Sequence, residues 1–174
     1  MQITGTLDWQ PAAVHPGLLA RPVAVAIDAL SLECFVAPID PDLADTAAFC
    51  TAYDVPLDLS ANCVVVAGRR AEQSVTAACL VLATDRADVN KTVRKHLGVR
   101  KLSFASMDDA VAQTGMEYGG ITPIGLPADW PILVDTAVAD REWIVIGSGI
   151  RGSKIALRGA SIALPTAEIL PLAL

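Results

Sequence analysis

The sequence predicts an α+β domain built around a mixed, largely antiparallel sheet with flanking helices. Three observations carry that expectation. Apolar runs of strand length alternate irregularly with helix-patterned segments rather than in a regular βαβ order. Several of these runs face each other across short turns, as hairpins do. No internal repeat or low-complexity linker divides the 174 residues, a length that fits one domain burying roughly 70% of its unfolded surface.

Residues 1–22 hold Pro11, Pro16, Gly17 and Pro22 and are weakly patterned, so they read as an N-terminal extension packed on a domain spanning 23–174. Val23–Ile27 and Glu33–Ala37 read as short strands. Asp40–Pro41 supplies an N-cap and a first-turn proline for a helix running to about Tyr53, with Leu43, Ala47 and Cys50 on one face. Asn62–Ala67 is a near-continuous apolar run, as expected of a central strand buried on both faces. Gly68–Glu72 turns the chain, and Val75–Ala83 returns as its hairpin partner. A helix follows over about Asp88–Leu97, with Val89, Val93 and Leu97 inward, Lys91, Arg94 and Lys95 outward, and Gly98 as its stop.

Leu102–Phe104 reads as a short strand, and Ser106 caps a brief helix ending at Gly115. The next stretch, Gly115–Pro127, contains four glycines and two prolines. Connections of this length without secondary structure are usually functional or disordered, and Met116, Tyr118, Ile121, Ile124 and Leu126 are too apolar for disorder. It reads as a backbone-lined wall of a small-molecule pocket. Pro131–Asp135 is a strand ending in a carboxylate, which is either placed for a ligand amine or a water or serves as a surface or capping Asp. Trp143–Ile146 and Lys154–Leu157 form a strand pair joined by Gly147–Gly152. That Gly-x-Gly-x-x-Gly turn matches the dinucleotide motif in letters only, since strand alternation rather than a helix follows it.

Composition narrows the function classes. No apolar run is long enough for a transmembrane helix, and the first residues lack the basic and apolar parts of a signal peptide. Cys34, Cys50, Cys63 and Cys79 are widely spaced in apolar segments, and His15 and His96 stand alone, so buried reduced thiols in a cytoplasmic protein are expected rather than a metal site. No catalytic triad can be assembled. The net charge of −6 is unevenly spread: residues 1–68 carry −7, residues 69–101 carry +5, and residues 102–174 carry −4. The basic middle fits two readings, a local track for a phosphate backbone or a solvated helix face with a charged hairpin tip.

Three segments carry a resemblance: Ala61-Asn-Cys-Val-Val-Val-Ala-Gly68, Asp88-Val-Asn-Lys-Thr-Val-Arg-Lys-His-Leu-Gly98 and Gly115-Met-Glu-Tyr-Gly-Gly-Ile-Thr-Pro-Ile-Gly-Leu126. In this order they resemble the YbaK/prolyl-tRNA synthetase-associated editing-domain family, the third most specifically through its Gly-x-x-x-Pro loop, Gly119–Pro123. The resemblance covers Glu33 to about Leu157. It implies a single domain with a barrel-like mixed sheet, and an aminoacyl-tRNA deacylase that hydrolyses the ester of a mischarged small amino acid, alanine or cysteine, in trans. It implies no cofactor and no metal; the partners are a tRNA acceptor end and, through it, an aminoacyl-tRNA synthetase.

On this reading Gly119 and Gly120 offer backbone amides to the ester oxyanion, with Asp135 and Asn62 beside the substrate. Ile121, Thr122, Pro123, Gly147, Ser148, Gly149 and Lys154 line the substrate site, and Lys91, Arg94, Lys95 and Arg151 meet the tRNA. One departure stands out. Many family members carry a lysine at the start of the central strand, where this chain has Asn62. Either Lys154 or Arg151 takes its place, or the substrate differs, or the chain is a non-catalytic member that binds tRNA or a small aminoacyl or nucleotide ligand.

Overall fold

The structure, a computed structural model, describes all residues, 1–174. Two sheets share one apolar layer. The first has the order β1-β2-β8-β7 and is antiparallel throughout, from β1 (Gln10–Pro11), β2 (Phe35–Pro38), β7 (Trp143–Gly147) and β8 (Ser153–Arg158). The second has the order β5-β3-β4-β6-β9, from β3 (Ala61–Arg70), β4 (Gln73–Leu82), β5 (Leu102–Phe104), β6 (Ile132–Asp135) and β9 (Ala167–Leu170). Its β4–β6 and β6–β9 pairs are parallel and the others antiparallel. The mixed α+β fold is as expected, but the sheets do not close into a barrel. They stay open and meet at a parallel bridge between Ser60 and Val145.

Period-2 alternation explains the layers. Val36, Ile155 and Leu157 of the first sheet and Leu80, Leu82, Ile132 and Val134 of the second point into the shared core, together with Val23 and Ile27 of α1 (Arg21–Leu30). The opposite face of the first sheet, with Ala37, Val145 and Ala156, packs on Phe49 and Cys50 of α2 (Thr46–Tyr53). The opposite face of the second, with Cys79, Val81 and Leu133, packs on Val89, Val93 and Leu97. Burial on both faces therefore extends over β6, the second half of β4, most of β8 and the middle of β7. The run at Asn62–Val64 in β3 is only half-buried, because a pocket opens over it.

Three expected elements are corrected. Val23–Ile27 is helical: Pro22 sits in the first turn, Val23 and Ile27 are four residues apart on the buried side, Val25 faces solvent, and Ser31 ends the helix with φ 48°. Five alternating apolar residues fit either period, and burial of one face decides. The helix expected from Asp40 to Tyr53 is broken. Asp40 caps only a 3-10 turn at Pro41–Leu43, and Asp45 starts α2 by accepting from the N–H groups of Ala47 and Ala48. The turn expected at Gly68–Glu72 narrows to Ala71–Glu72, so Arg69 and Arg70 are paired strand residues opposite Ser74 and Gln73. The basic helix begins as one wide π turn, Val89–Val93, with Val93 N–H donating to the Asp88 carbonyl, and continues as α3 (Arg94–Leu97) to Gly98. Ser106 caps α4 (Met107–Thr114), which stops at Gly115 as expected. No helix is long and apolar enough to cross a membrane.

The first residues are woven into this frame. Trp9 is fully buried under the first sheet and its indole donates to the Thr4 carbonyl, while β1 extends the sheet edge. At the other end, Asp135 joins β6 to the last residues. Its Oδ1 caps α5 (Thr136–Ala139) by accepting from Ala137 N–H, and its Oδ2 accepts from Leu172 and Ala173 N–H at 2.7 and 2.9 Å. Replacing it leaves three N–H donors unanswered. Asp135→Ala is expected to cost roughly 2–4 kcal/mol in urea unfolding, with early loss of hydrogen-exchange protection at Leu172 and Ala173. A change under about 0.5 kcal/mol would show that the carboxylate does not hold the C-terminal segment.

Candidate functional site

A pocket of about 350 Å³ lies at the seam of the two sheets. Its floor is the start of β3, Ala61–Val65, and the facing ends of β7 and β8 supply Val145, Ile146, Gly147 and Lys154. Ala44, Asp45 and Thr46 form one lip, while Tyr118, Gly119 and Ile121 form the other with Phe104, Ala105 and Ala110.

Lys154 sits in the β8 register opposite Gly147 and is only 7% exposed. Its ammonium donates to the Ala44 carbonyl at 2.9 Å and lies 5.1 Å from the Phe49 ring centroid. The break in the expected helix makes this possible, since Ala44 lies between the two helical pieces. Burial lowers the lysine's pKa from its ordinary value, Cys50 and Asp45 act in the opposite direction, and Arg151 adds to the lowering. One of three ammonium protons is committed to Ala44, which leaves donors for a ligand oxygen.

Asn62 is fixed by Thr46, whose hydroxyl donates to Asn62 Oδ1 at 2.7 Å. With its oxygen engaged, Asn62 presents its NH₂ as the free end. Asp45 is the carboxylate of the lining, with one oxygen held by the Ala47 and Ala48 N–H groups.

The glycine loop is held by backbone rather than side chains. Gly120 N–H donates to the Glu117 carbonyl and Gly120 O accepts from Gly149 N–H at 2.7 Å. Gly119, with φ 88°, lines the pocket, and neither its N–H nor that of Ile121 has a partner within the chain. The loop amides left unpaired among the lining residues are therefore those of Tyr118, Gly119 and Ile121, whereas that of Gly120 is spent on the loop. A Cβ at Gly120 would lie 2.7 Å from the Ile150 backbone, so a bulky residue there breaks the loop packing instead of filling the pocket.

The remaining expected site residues divide clearly. Gly147 and Lys154 line the pocket with Asn62, Gly119 and Ile121. Gly149, Thr122, Pro123 and Ser148 lie behind it: Ser148 and Ser153 hydroxyls meet at 2.7 Å, and Thr122 Oγ1 is buried without a partner. Asp135 is engaged at the C-terminal segment and is absent from the lining. Arg151 straps the rim, donating from its backbone to Glu117 and from its guanidinium to the Tyr118 and Pro41 carbonyls. Lys91, Arg94 and Lys95 lie on the basic helix, away from the pocket.

Sequence reasoning missed Asp45, Thr46 and Ser60. The Asp45-Thr46 pair before Ala47-Ala48 is a second N-cap signal, masked by the stronger Asp40-Pro41. The pocket holds no activated thiol. Burial raises Cys63, the thiol in the lining, and Cys79 behind it adds to this; Cys79 itself is pushed up to about 12 and Cys34 to about 11. A neutral thiol is a poor nucleophile, so what the pocket offers a ligand is hydrogen-bond donors.

Comparison with known proteins identifies the family and relates the fold to solved structures. Residues 40–163, well over half of the chain, match the model of the aminoacyl-tRNA editing domain, and the chain belongs to that family. The fold is similar to a crystal structure provisionally assigned as a trans-editing enzyme for prolyl tRNA synthetase, with 19% identity, TM-score 0.75, and coverage of 89% of this chain and 96% of that one. It is also similar to the hypothetical protein APE2540, with 17% identity, TM-score 0.78, and coverage of 88% and 100%. A scaffold used for computational epitope grafting matches at 19% identity and TM-score 0.75, over 89% and 97%.

The buried ammonium has a pH signature. Because the folded pKa of Lys154 is lowered, the unfolded chain holds the extra proton between that value and 10.5. Stability therefore rises with pH across this window, as the penalty of burying the charge is relieved. Relative to Lys154→Met, the wild type is expected to gain stability in urea titrations as pH climbs toward 10.5, with a constant difference at lower pH. The cysteine titrations are common to both proteins and largely cancel. A difference that stays flat to pH 10.5 would contradict a buried, desolvated ammonium.

Proposed function

We propose that this member of the aminoacyl-tRNA editing-domain family is a trans-acting deacylase that hydrolyses the ester of a small amino acid, alanine- or cysteine-like, wrongly attached to tRNA. Residues 23–174 act as the editing-like domain, to whose first sheet the extension 1–22 contributes β1 and the buried Trp9. The observation that carries the reading is the convergence of donors in one small pocket: the free amides of Gly119 and Ile121, the NH₂ of Asn62 and the ammonium of Lys154. An aminoacyl ester on a terminal ribose is rich in oxygen acceptors and needs such a set.

The reaction needs one water and no covalent intermediate. Water attacks the ester carbonyl, the oxyanion is held by backbone amides, and the carbonyl–ribose oxygen bond breaks to release amino acid and a free ribose hydroxyl. Preorganised donors at the oxyanion are worth about 10²–10³ in rate each. Side-chain selection comes from size: Val64, Val65, Ala105, Ala110 and Ile146 line the apolar part of the pocket, which favours small residues by exclusion. Lys154 is our candidate for the charge that other members carry at the position of Asn62. It comes from β8 instead of β3 but reaches the same cavity. A tRNA substrate fits a cytoplasmic location and association with an aminoacyl-tRNA synthetase; the structural relative is itself provisionally assigned as a trans-editing enzyme for prolyl tRNA synthetase.

A panel of mischarged tRNAs tests the proposal. Deacylation above the buffer rate is expected for at least one small amino acid, and none for any member of the panel would end the enzymatic reading in favour of a binding-only protein. Lys154→Met is expected to lower kcat/KM about 100-fold, the scale of one lost transition-state donor. Adding Asn62→Lys to that variant should recover much of the loss if the charge has simply changed strands. Failure of this rescue, with the double variant folded, would separate Lys154 from the family lysine's role.

A further inference from the structure

The pocket chemistry leaves unexplained a second concavity of about 1040 Å³, on the other side of β5. Its walls come from the end of β3, from the basic helix and from the segment entering β5. Arg69, Arg70, Arg94, Arg100 and Lys101 line it, no carboxylate does, and the whole chain carries −6.

These charges are oriented yet not neutralised. The Arg70 guanidinium donates to the Leu97 carbonyl, and Arg94 donates to the carbonyls of Asn90 and Arg100 at 2.7 and 3.3 Å. Carbonyl partners fix a guanidinium without cancelling its charge. Only Arg69 meets a carboxylate, Glu72 at 3.7 Å, in a pair open to solvent and so worth little. A merely solvated basic face would spread its cations outward along one helix. Here three separate segments direct theirs into one groove. Arg94 belongs to it, while Lys91 and Lys95 do not line it.

Two strands connect groove and pocket. On β3, Asn62 to Val65 line the pocket and Ala67 to Arg70 the groove; on β5, Phe104 lines the pocket and Leu102 and Ser103 the groove. The six steps along the strand from Asn62 to Gly68 span about 20 Å at ~3.3 Å per residue. Stacked nucleotides advance ~3.4 Å each along a strand, so this distance is on the order of six nucleotides.

We propose that the groove is the docking surface for the phosphate backbone of an RNA whose 3′ end enters the pocket. The inference rests on the deacylase reading for the identity of that RNA, but its binding test does not depend on hydrolysis. Filter binding of uncharged tRNA is measured against salt concentration for the wild type, for Arg100→Glu/Lys101→Glu, and for Lys91→Glu/Lys95→Glu as a reversal of equal charge outside the groove. All four residues are exposed, and thermal melts confirm that each variant is folded. The groove variant is expected to bind about tenfold or more weakly and to flatten the log–log salt slope by about 2, close to one unit for each lost phosphate contact. The helix variant is expected to change affinity less than threefold. No tRNA binding by the wild type, an unchanged slope in the groove variant, or equal losses in both variants would each overturn the assignment. Groove-dependent tRNA binding in a chain that deacylates nothing would remove the deacylase reading and support the groove.

Discussion

The site depends on one close approach between two stretches of backbone. Gly120 O accepts from Gly149 N–H at 2.7 Å, and a Cβ on Gly147 would stand 2.5 Å from that same oxygen. A Cβ on Gly120 would in turn meet the Ile150 backbone. Glycine is needed on both sides because no side chain fits between the loop and the β7–β8 turn. Once the two are joined, Glu117 N–H reaches the Gly149 carbonyl, and the Glu117 side chain receives Arg151 N–H. Gly119 and Ile121 are then carried to the pocket, and Lys154 arrives opposite Gly147 by strand register.

This arrangement divides labour between main chain and side chains. The loop supplies unpaired amides, which carry no net charge and are held rigidly. The strands supply Asn62 and Lys154, each anchored by a partner from the 44–46 segment. Asn62, Lys154 and Asp45 thus each have a neighbour that sets their direction. Burial raises Cys63 and Cys79, so the pocket presents hydrogen-bond donors and no activated thiol.

Much of this was legible because the signals were local. The β3–β4 hairpin, the Ser106 and Gly115 helix limits and the Gly98 stop follow from turn and cap chemistry over a few residues. The glycine loop was recognisable as a pocket wall by its length and composition. Other features were decided at a distance. Val23–Ile27 fits both periods, and only packing against the shared core selects the helix. Asp135 looked available at a strand end until the chain returned 37 residues later to use its oxygens. Which loop amides remain free depends on the partner turn: Gly120 was a reasonable candidate in isolation and is engaged in the fold. The barrel failed for a similar reason, since closure is a property of edges that no single segment encodes.

The pocket gathers its walls from Ala44 to Lys154, so no short fragment of the chain contains it. During synthesis, the α2 segment, β3 and the loop leave the ribosome well before β8 brings the ammonium that completes the cavity. The parallel pairing of β6 with β4, and later with β9, adds further contacts that must wait for distant sequence. Such non-local contacts slow folding and leave strand edges open in the interval. Until β8 docks, Asn62 and the glycine loop face water without Lys154. The site is therefore complete only once β8 is in place.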